Sequence, residues 1–387
     1  MSQTLPEPTA IEQAHSKSLA KVIVKEIDQN GSIPFSRYME MALYQPGLGY
    51  YVAGATKFGA AGDFITAPEI SPLFGMCIAN QAAEVIRQIG VNASLLEIGA
   101  GSGVLAVAIL KHLDELGCLP QHYFILELSP ELKLRQKDII EKEAPALIER
   151  IIWLDTLVGF SMQGMVVANE VLDAMPVSCF EMTEDNIYER RVVFDDRLNW
   201  QSKLADERLR MKVEDLSISF VSSAYRSEIN LHIQPWLDSM ALVIESGVVL
   251  LVDYGYQQHE YYHPERVEGT LLAHYRHHAV EDPFVYPGLM DITANVDFTA
   301  VAQAAVESGF EVSGYTTQAC FLLGAGIDQL FLQCASESEQ KQLEYSQQVK
   351  HLTLPSEMGE RFKVLGINRH FDHSLSAFNF KDLTHKL

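Results

Sequence analysis

The spacing of hydrophobic and polar positions changes character near residue 94. Before it, residues 1–10 read as a loose tail, and 11–29 carry the spaced apolar positions of an amphipathic helix stopped by Asn30-Gly31. "IPFSRYMEMALYQPGLGYYV" (33–52) predicts a short helix, a Pro46-Gly47 break and an aromatic extended piece. "GAAGDFITAPEIS" (59–71) is a polar, glycine-rich loop. It feeds a helix over 72–89, with Phe74, Ile78, Val85, Ile86 and Ile89 on one stripe and Gly90 as its stop.

From 94 onward, short apolar runs alternate with helical segments. Strand 94–98 passes through a glycine turn into a helix over 103–116 closed by Gly117. Strand 122–127 leads to Ser129-Pro130, an N-cap and first-turn pair, and a helix over 130–143. Strand 150–154 ends at Asp155, strand 164–169 runs into "EVLDAMP", and strand 247–253 ends at "YGY". Near-continuous apolar strands separated by helices predict an α/β fold, a mostly parallel sheet with helices on both faces. Between the fourth and fifth strands lies an insertion, 178–246, with hairpin-like strands and a helical piece containing Pro235. The pattern loosens over the His- and Tyr-rich 256–290. It resumes as a helix over 297–308 and a strand over 310–315, then a further helix and "LPSEMGERFKVL" (354–365). The expected organisation is an N-terminal helical segment and active-site loop packing on the core (1–90), the first part of the core (91–177), a substrate-side α+β insertion lobe (178–246), and the rest of the core with a C-terminal segment (247–387).

Composition narrows the function classes. At 387 residues the chain exceeds one average domain, and its 48% hydrophobic and 21% charged content is that of a folded protein. The net charge of −22 repels phosphate backbones, which argues against nucleic acid as a partner and for a basic one. The same acidity also confers solubility. Five scattered cysteines without a CxxC pair fit a reducing compartment rather than a disulfide or zinc framework. His274, His277 and His278 have no completing ligand nearby in sequence, so no metal is expected. No signal or transit character marks the N-terminus, and no apolar run approaches the roughly 20 residues of a bilayer span. A cytoplasmic protein without membrane insertion is expected.

The glycine turn in "SLLEIGAGSGVL" (94–105) carries the candidate chemistry. Its spacing is G-x-G-x-G over Gly99, Gly101 and Gly103, and Val104 stands where the dinucleotide fingerprint has its third glycine. Glu97 sits two residues before the first glycine. An anion beside a pyrophosphate is unfavourable, whereas an anion beside an ammonium is favourable. S-adenosylmethionine (SAM) offers an ammonium and a sulfonium and no phosphate. Glu97 is therefore expected to hold its methionine end, directly or through water, with Gly99, Ala100, Gly101 and Gly103 lying against the ligand. Glu127, ending the next strand, is placed for the ribose hydroxyls, with Leu128 beside it. Asp155 is placed for the adenine amino group, with Thr156 next to it. A carboxylate at one strand end is commonly a solvated loop acid. Three in successive βα units, where such sheets bind ligands, favour SAM over a nicotinamide.

The acceptor is expected beside the fourth strand, which ends in Asn169-Glu170 with Asp173 following; Asn169 is placed to reach the cofactor as well. Two acids in "NEVLDAMP" suit a cationic acceptor. A guanidinium has a pKa above about 12 and a delocalised lone pair. Paired carboxylates can fix it and accept the departing proton. The competing reading makes Glu170 a helix cap and Asp173 a solvated acid. Asp63, in the tight turn Gly62-Asp63, is a further catalytic candidate, with Thr66 and Glu69 as polar reach from the same loop. Asp253, Tyr254 and Gly255 are expected to end the fifth strand on the acceptor side.

The ordered set "YMEMALYQPGLGYY", "GDFITAPEIS", "LLEIGAGSG", "ANEVLDAMPV", "LVDYG", "GTLLAHYRHH", "DITANVDF" and "MGERFKVL" resembles the MidA family of class I SAM-dependent methyltransferases, over about residues 32 to 366. The resemblance implies a seven-stranded Rossmann-like SAM-binding sheet with an added lobe. It carries the cofactor roles onto Glu97, Gly99, Gly101, Gly103 and Glu127. Asp63, Asn169, Glu170 and Asp173 match family motifs, while their individual roles follow from the residue chemistry above. Eukaryotic members are complex I assembly factors that methylate an arginine of a core subunit. Without a mitochondrial presequence, this chain looks like a bacterial member. The expected activity is methylation of a protein, at arginine nitrogen, in a substrate with an exposed basic segment; a homodimer is compatible with it. A non-catalytic SAM-binding assembly factor and a small-molecule acceptor remain open alternatives.

Overall fold

A computed structural model describes residues 5–53, 66–219, 224–336 and 338–387. The chain forms two compact units. One comprises Met1–Phe64, Leu172–Ile233 and Tyr256–Asp297; the other comprises Ile65–Val171, Gln234–Gly255 and Phe298–Leu387.

The second unit is built on seven strands: β1 Ser94–Ile98, β2 Tyr123–Leu126, β3 Ile151–Leu154, β4 Met162–Asn169, β5 Ile244–Tyr256, β6 Glu311–Thr317 and β7 Phe362–Arg369. Their order across the sheet is β3-β2-β1-β4-β5-β7-β6. The first five are mutually parallel. Only β7 is reversed, running antiparallel to both β5 and β6. This is the class I methyltransferase-like α/β architecture. Every residue of β1 is buried, as a central strand covered on both faces requires. The flanking helices begin where the sequence marks them. Ser71 caps Pro72–Ile89 by accepting from Leu73 N at 3.2 Å, and Ser129 caps Pro130–Glu143 by accepting from Leu132 N at 3.3 Å. Val104–Glu115 follows the glycine turn.

Three features depart from the periodicity reading. The segment 354–365 leads into β7, which inserts between β5 and β6. Gly366 keeps this strand thin: a Cβ there would lie 2.9 Å from the Phe378 ring. The single further helix is in fact three, Gln318–Gly324, Ile327–Ala335 and Glu339–Thr353. β5 begins at Ile244 and continues to Tyr256, so Asp253 lies inside the strand, paired in register with Lys363, rather than at its end.

In the first unit, Ile33–Pro34, Ile187–Phe194, Ser178–Met182 and Tyr225–Ile229 form an antiparallel sheet, with Leu198–Leu204 also pairing with Ile187–Phe194. The helix Ala10–Asn30 opens with a capping box between Thr9 and Glu12. It contributes Leu19 and Ile23 to a core shared with Phe35, Tyr38 and Ile292. The stretch 256–290 is more ordered than its polarity predicts. Leu272–Tyr275 pairs with His278–Val280 and with Asp291–Thr293. Arg276 and His277, at φ 48° and 64°, form the two-residue hairpin turn. Among the described residues, no helix is long and apolar enough to cross a membrane and no cluster of three or more His, Cys, Asp or Glu could hold a metal ion.

Candidate functional site

The strand order reverses beside β1: β2 pairs with one side of it and β4 with the other. The carboxyl ends of the strands at such a switch point frame a ligand crevice. The chain leaves β1 into Gly99, Gly101 and Gly103, all with positive φ, at 68°, 52° and 89°. Gly103 is required twice over. Its φ disfavours any side chain, and a Cβ would lie 3.0 Å from Ile139 Cγ2 and 3.1 Å from Gln136 Cα. The turn therefore packs directly on the helix Pro130–Glu143. Ala100 is buried within the turn, and the buried Ser102 donates its hydroxyl proton to the Glu69 carboxylate.

Glu97 is 2% exposed and accepts from the Tyr123 hydroxyl at 2.7 Å. Burial pushes its pKa up to about 7, against the hydrogen bond, which lowers it, and with the neighbouring Glu127 charge, which raises it. Glu127 is also buried. Its carboxylate accepts from Ser129 N and from Gln136 Nε2, each at 2.9 Å. Burial raises its pKa as well, opposed by those two donors. Leu128, next in sequence, is 62% exposed, an apolar side chain left to water at the strand end. Asp155 and Thr156 follow β3 in solvent. Asp155 forms an ion pair with Lys133, and Thr156 Oγ1 accepts from Val158 N at 3.2 Å.

On the other side of the switch point, Asn169 ends β4 in register with Val252, one residue beyond the Ala168–Ile98 pair. Glu170 then turns away with φ 53°, its backbone N–H donating to Val252 O at 2.9 Å. Asn169 Nδ2 donates to Glu170 Oε1 at 3.2 Å, and Asn169 Oδ1 is buried with no hydrogen-bond partner among the described residues. Val171 Cγ2 lies 3.6 Å from where a Cβ on Gly99 would stand, which sets the 169–171 segment against the glycine turn.

The structure thus gathers Glu97, Gly99–Gly103, Glu127, Leu128, Asn169 and Glu170 at the carboxyl ends of β1, β2 and β4, with Asp155 and Thr156 after β3. Asp173 belongs to the first unit. There it is buried, and its carbonyl accepts from Ala294 N at 3.0 Å. Its charge, with that of Asp291, adds to the burial that raises the Tyr51 pKa well above the usual phenol range. Tyr51 itself donates to Asp291 Oδ1 at 2.8 Å. Asp63 lies outside the described residues. Gln136 was not among the sequence candidates. Its signal was a lone amide on the buried stripe Leu132, Gln136, Ile140.

These residues fit SAM. Glu97 is a buried carboxylate whose charge is costly and which an ammonium would stabilise; Glu127 is a carboxylate suited to paired hydroxyls. The turn also has the thin backbone that close approach of a ligand demands.

The comparisons agree with this geometry. Residues 77–316 match a family described as S-adenosyl-L-methionine-dependent methyltransferases. A Burkholderia thailandensis protein crystallised with S-adenosyl-homocysteine superposes with a TM-score of 0.94 at 40% identity, covering 99% of this chain and 100% of that one. The mitochondrial protein arginine methyltransferase NDUFAF7 of Danio rerio is 29% identical over 91% of this chain and 87% of its own length. That of Homo sapiens is 26% identical over 90% and 82%. With a sheet ordered as in class I methyltransferases and a glycine turn flanked by buried carboxylates, this chain belongs to that S-adenosyl-L-methionine-dependent methyltransferase family.

Proposed function

We propose that the chain methylates a protein at an arginine side-chain nitrogen. The observation that carries this reading is Glu170, a carboxylate presented by a positive-φ turn directly after β4 and held by Asn169, in a segment packed against the glycine turn. A carboxylate so placed recognises a guanidinium by charge-assisted hydrogen bonds and orients one nitrogen for in-line attack. Bound against Gly99–Gly103, SAM supplies an electrophilic methyl group and departs as S-adenosyl-homocysteine. Glu170 accepts the proton that the methylated nitrogen sheds, which balances the charge of the transfer. Glu97 would hold the methionine ammonium and Glu127 the ribose hydroxyls. Asp155, with Thr156, would meet the adenine end, its carboxylate exchanging Lys133 for the amino group.

Asp173 and Asp63 are further acids proposed for the acceptor, each to be tested by its own substitution. A net charge of −22 favours a basic segment as the substrate. Relatives 29% and 26% identical to this chain carry the name protein arginine methyltransferase, which supports this reading. The five scattered cysteines, without a CxxC pair, suit a reducing compartment, and on that ground the chain is assigned to the cytoplasm as part of this proposal.

The test is transfer of a tritiated methyl group from SAM into extract proteins, followed by mass-spectrometric mapping of the labelled residue. Label on arginine, lost with Glu170→Ala while S-adenosyl-homocysteine (SAH) still binds, supports the proposal. Label on another residue type, or only on small molecules, overturns the arginine assignment. Binding without any transfer leaves a scaffold in place of an enzyme.

A further inference from the structure

We infer that Gln136 is a positioning residue of the cofactor site, whose single amide locks the glycine turn to the ribose carboxylate. This rests on reading Gly99–Gly103 and Glu127 as the cofactor's supports.

Gln136 is fully buried on the helix Pro130–Glu143, on the stripe between Leu132 and Ile140. A helix packing on a sheet has an apolar residue there by default, because a buried amide costs free energy unless each polar atom is paired. Here each is. Nε2 donates to Gly101 O at 3.1 Å and to Glu127 Oε2 at 2.9 Å, which uses both of its protons. Oε1 accepts from Trp153 Nε1 at 3.0 Å.

The direction of the amide is fixed by chemistry. An indole nitrogen is a donor only, so the atom facing Trp153 must be the amide oxygen. The NH2 group therefore has to face the turn carbonyl and the carboxylate, both of which only accept. Trp153 lies on β3, Glu127 just past β2 and Gly101 just past β1. One side chain thus holds three successive strand ends in register.

Two consequences bear on the cofactor. The Gly101 carbonyl is turned toward Gln136, which sets the orientation of the peptide groups that the ligand meets. The Glu127 carboxylate keeps one oxygen on Gln136 and the other on Ser129 N, which fixes its plane. Donation to the ionised carboxylate also favours the form that accepts ribose hydroxyls.

The experiment is SAH calorimetry from pH 5 to 8.5 on the full chain, comparing the wild type with Gln136→Met, Gln136→Glu and Glu127→Ala. Gln136→Met keeps the side-chain length and removes every hydrogen bond. It should weaken SAH binding about tenfold at neutral pH. The fall of affinity on the acid side should also move to higher pH, because Glu127 loses a donor to its charged form. Packing loss alone would not move that limb. Gln136→Glu sets a second carboxylate against Glu127 and should bind worst above neutrality, then recover as pH falls and one proton is shared between them. That recovery is an independent readout if Gln136→Met folds poorly. If Glu127→Ala weakens binding while both Gln136 variants keep the wild-type affinity and pH profile, this inference is overturned and the cofactor reading stands. If Glu127→Ala binds SAH as the wild type does, the cofactor reading of Glu127 falls, and the inference with it.

Discussion

Tyr123 of β2 donates its phenolic proton to Glu97 of β1 at 2.7 Å, and both side chains are buried. Burial dominates the Glu97 carboxyl, outweighing the Tyr123 hydrogen bond, and its pKa rises to about 7. The folded chain therefore binds a proton that the unfolded chain, at the ordinary carboxyl value of 4.5, has already lost. A raised carboxyl pKa stabilises the fold fully below about pH 4.5, and that contribution disappears as pH rises through about 7. A shift of this size corresponds to roughly 3 kcal/mol between those limits.

Ligand binding should reverse the proton balance. An ammonium beside Glu97 favours the charged carboxylate, so SAH binding near pH 6.5 should release a proton. Calorimetry in two buffers of unlike ionisation enthalpy would read this directly. Glu97→Gln should remove the release, weaken SAH binding and flatten the loss of stability between about pH 4.5 and 7. A binding enthalpy independent of buffer would contradict placing the ammonium at Glu97.

The Ser102 hydroxyl ties the glycine turn to Glu69, in the short helix Ala67–Ile70. The pair predicts a coupling that neither residue shows alone. Ser102→Ala and Glu69→Ala should each weaken SAH binding by a few-fold, and the double variant should lose little more than either. Glu69→Gln keeps an acceptor for Ser102 and should stay near the wild type. Additive losses in the double-mutant cycle would mean that the two act independently.

Gly103→Ala tests the backbone. The substitution places a methyl group against Gln136 Cα and Ile139 and forces an L-residue into φ 89°. A cost of about 1–3 kcal/mol in unfolding free energy is expected. SAH affinity should fall more steeply than stability if the turn is the cofactor's support, as proposed above. Denaturant unfolding with and without SAH would separate the two; a variant that binds normally would remove Gly103 from the cofactor's support.

The sequence made most of this unit legible, for physical reasons. β1 and the helices Pro72–Ile89 and Pro130–Glu143 match their expected bounds because apolar run, cap and stop residue coincide there. The strand-end positions of Glu97, Glu127 and Asn169-Glu170 could be read because each closes or follows a short apolar run. β7 escaped because Lys363 and Gly366 interrupt its apolar run. Lys363 is nonetheless buried, its ammonium donating to the Glu360 and Arg361 carbonyls. The sheet at Leu272–Tyr275, His278–Val280 and Asp291–Thr293 escaped for a different reason. Its strands are three or four residues long, and its turn uses Arg276 and His277 in place of the usual glycine or asparagine. Gln136 escaped because a single polar residue on a helix stripe does not reveal its partners until three strand ends are brought together.

Glu170 offers the sharpest separation of function from stability. Its φ of 53° is one that a non-glycine residue adopts at a cost of roughly 1–2 kcal/mol, and such cost tends to persist where a side chain is needed. Glycine at this position removes both the strain and the carboxylate. Glu170→Gly should therefore unfold at slightly higher denaturant than the wild type, by up to about 1 kcal/mol, while methyl transfer falls at least about a hundredfold. Glu170→Gln keeps the backbone and can still meet Asn169, yet has no proton acceptor. It should lose turnover with SAH affinity intact. Radiolabelled transfer and denaturant unfolding on the same preparations decide it. A Glu170→Gly variant that is more stable and fully active would make this residue a turn element with no part in the chemistry. A variant less stable than the wild type would show that the carboxylate's contacts, rather than the reaction, hold the backbone in its strained form.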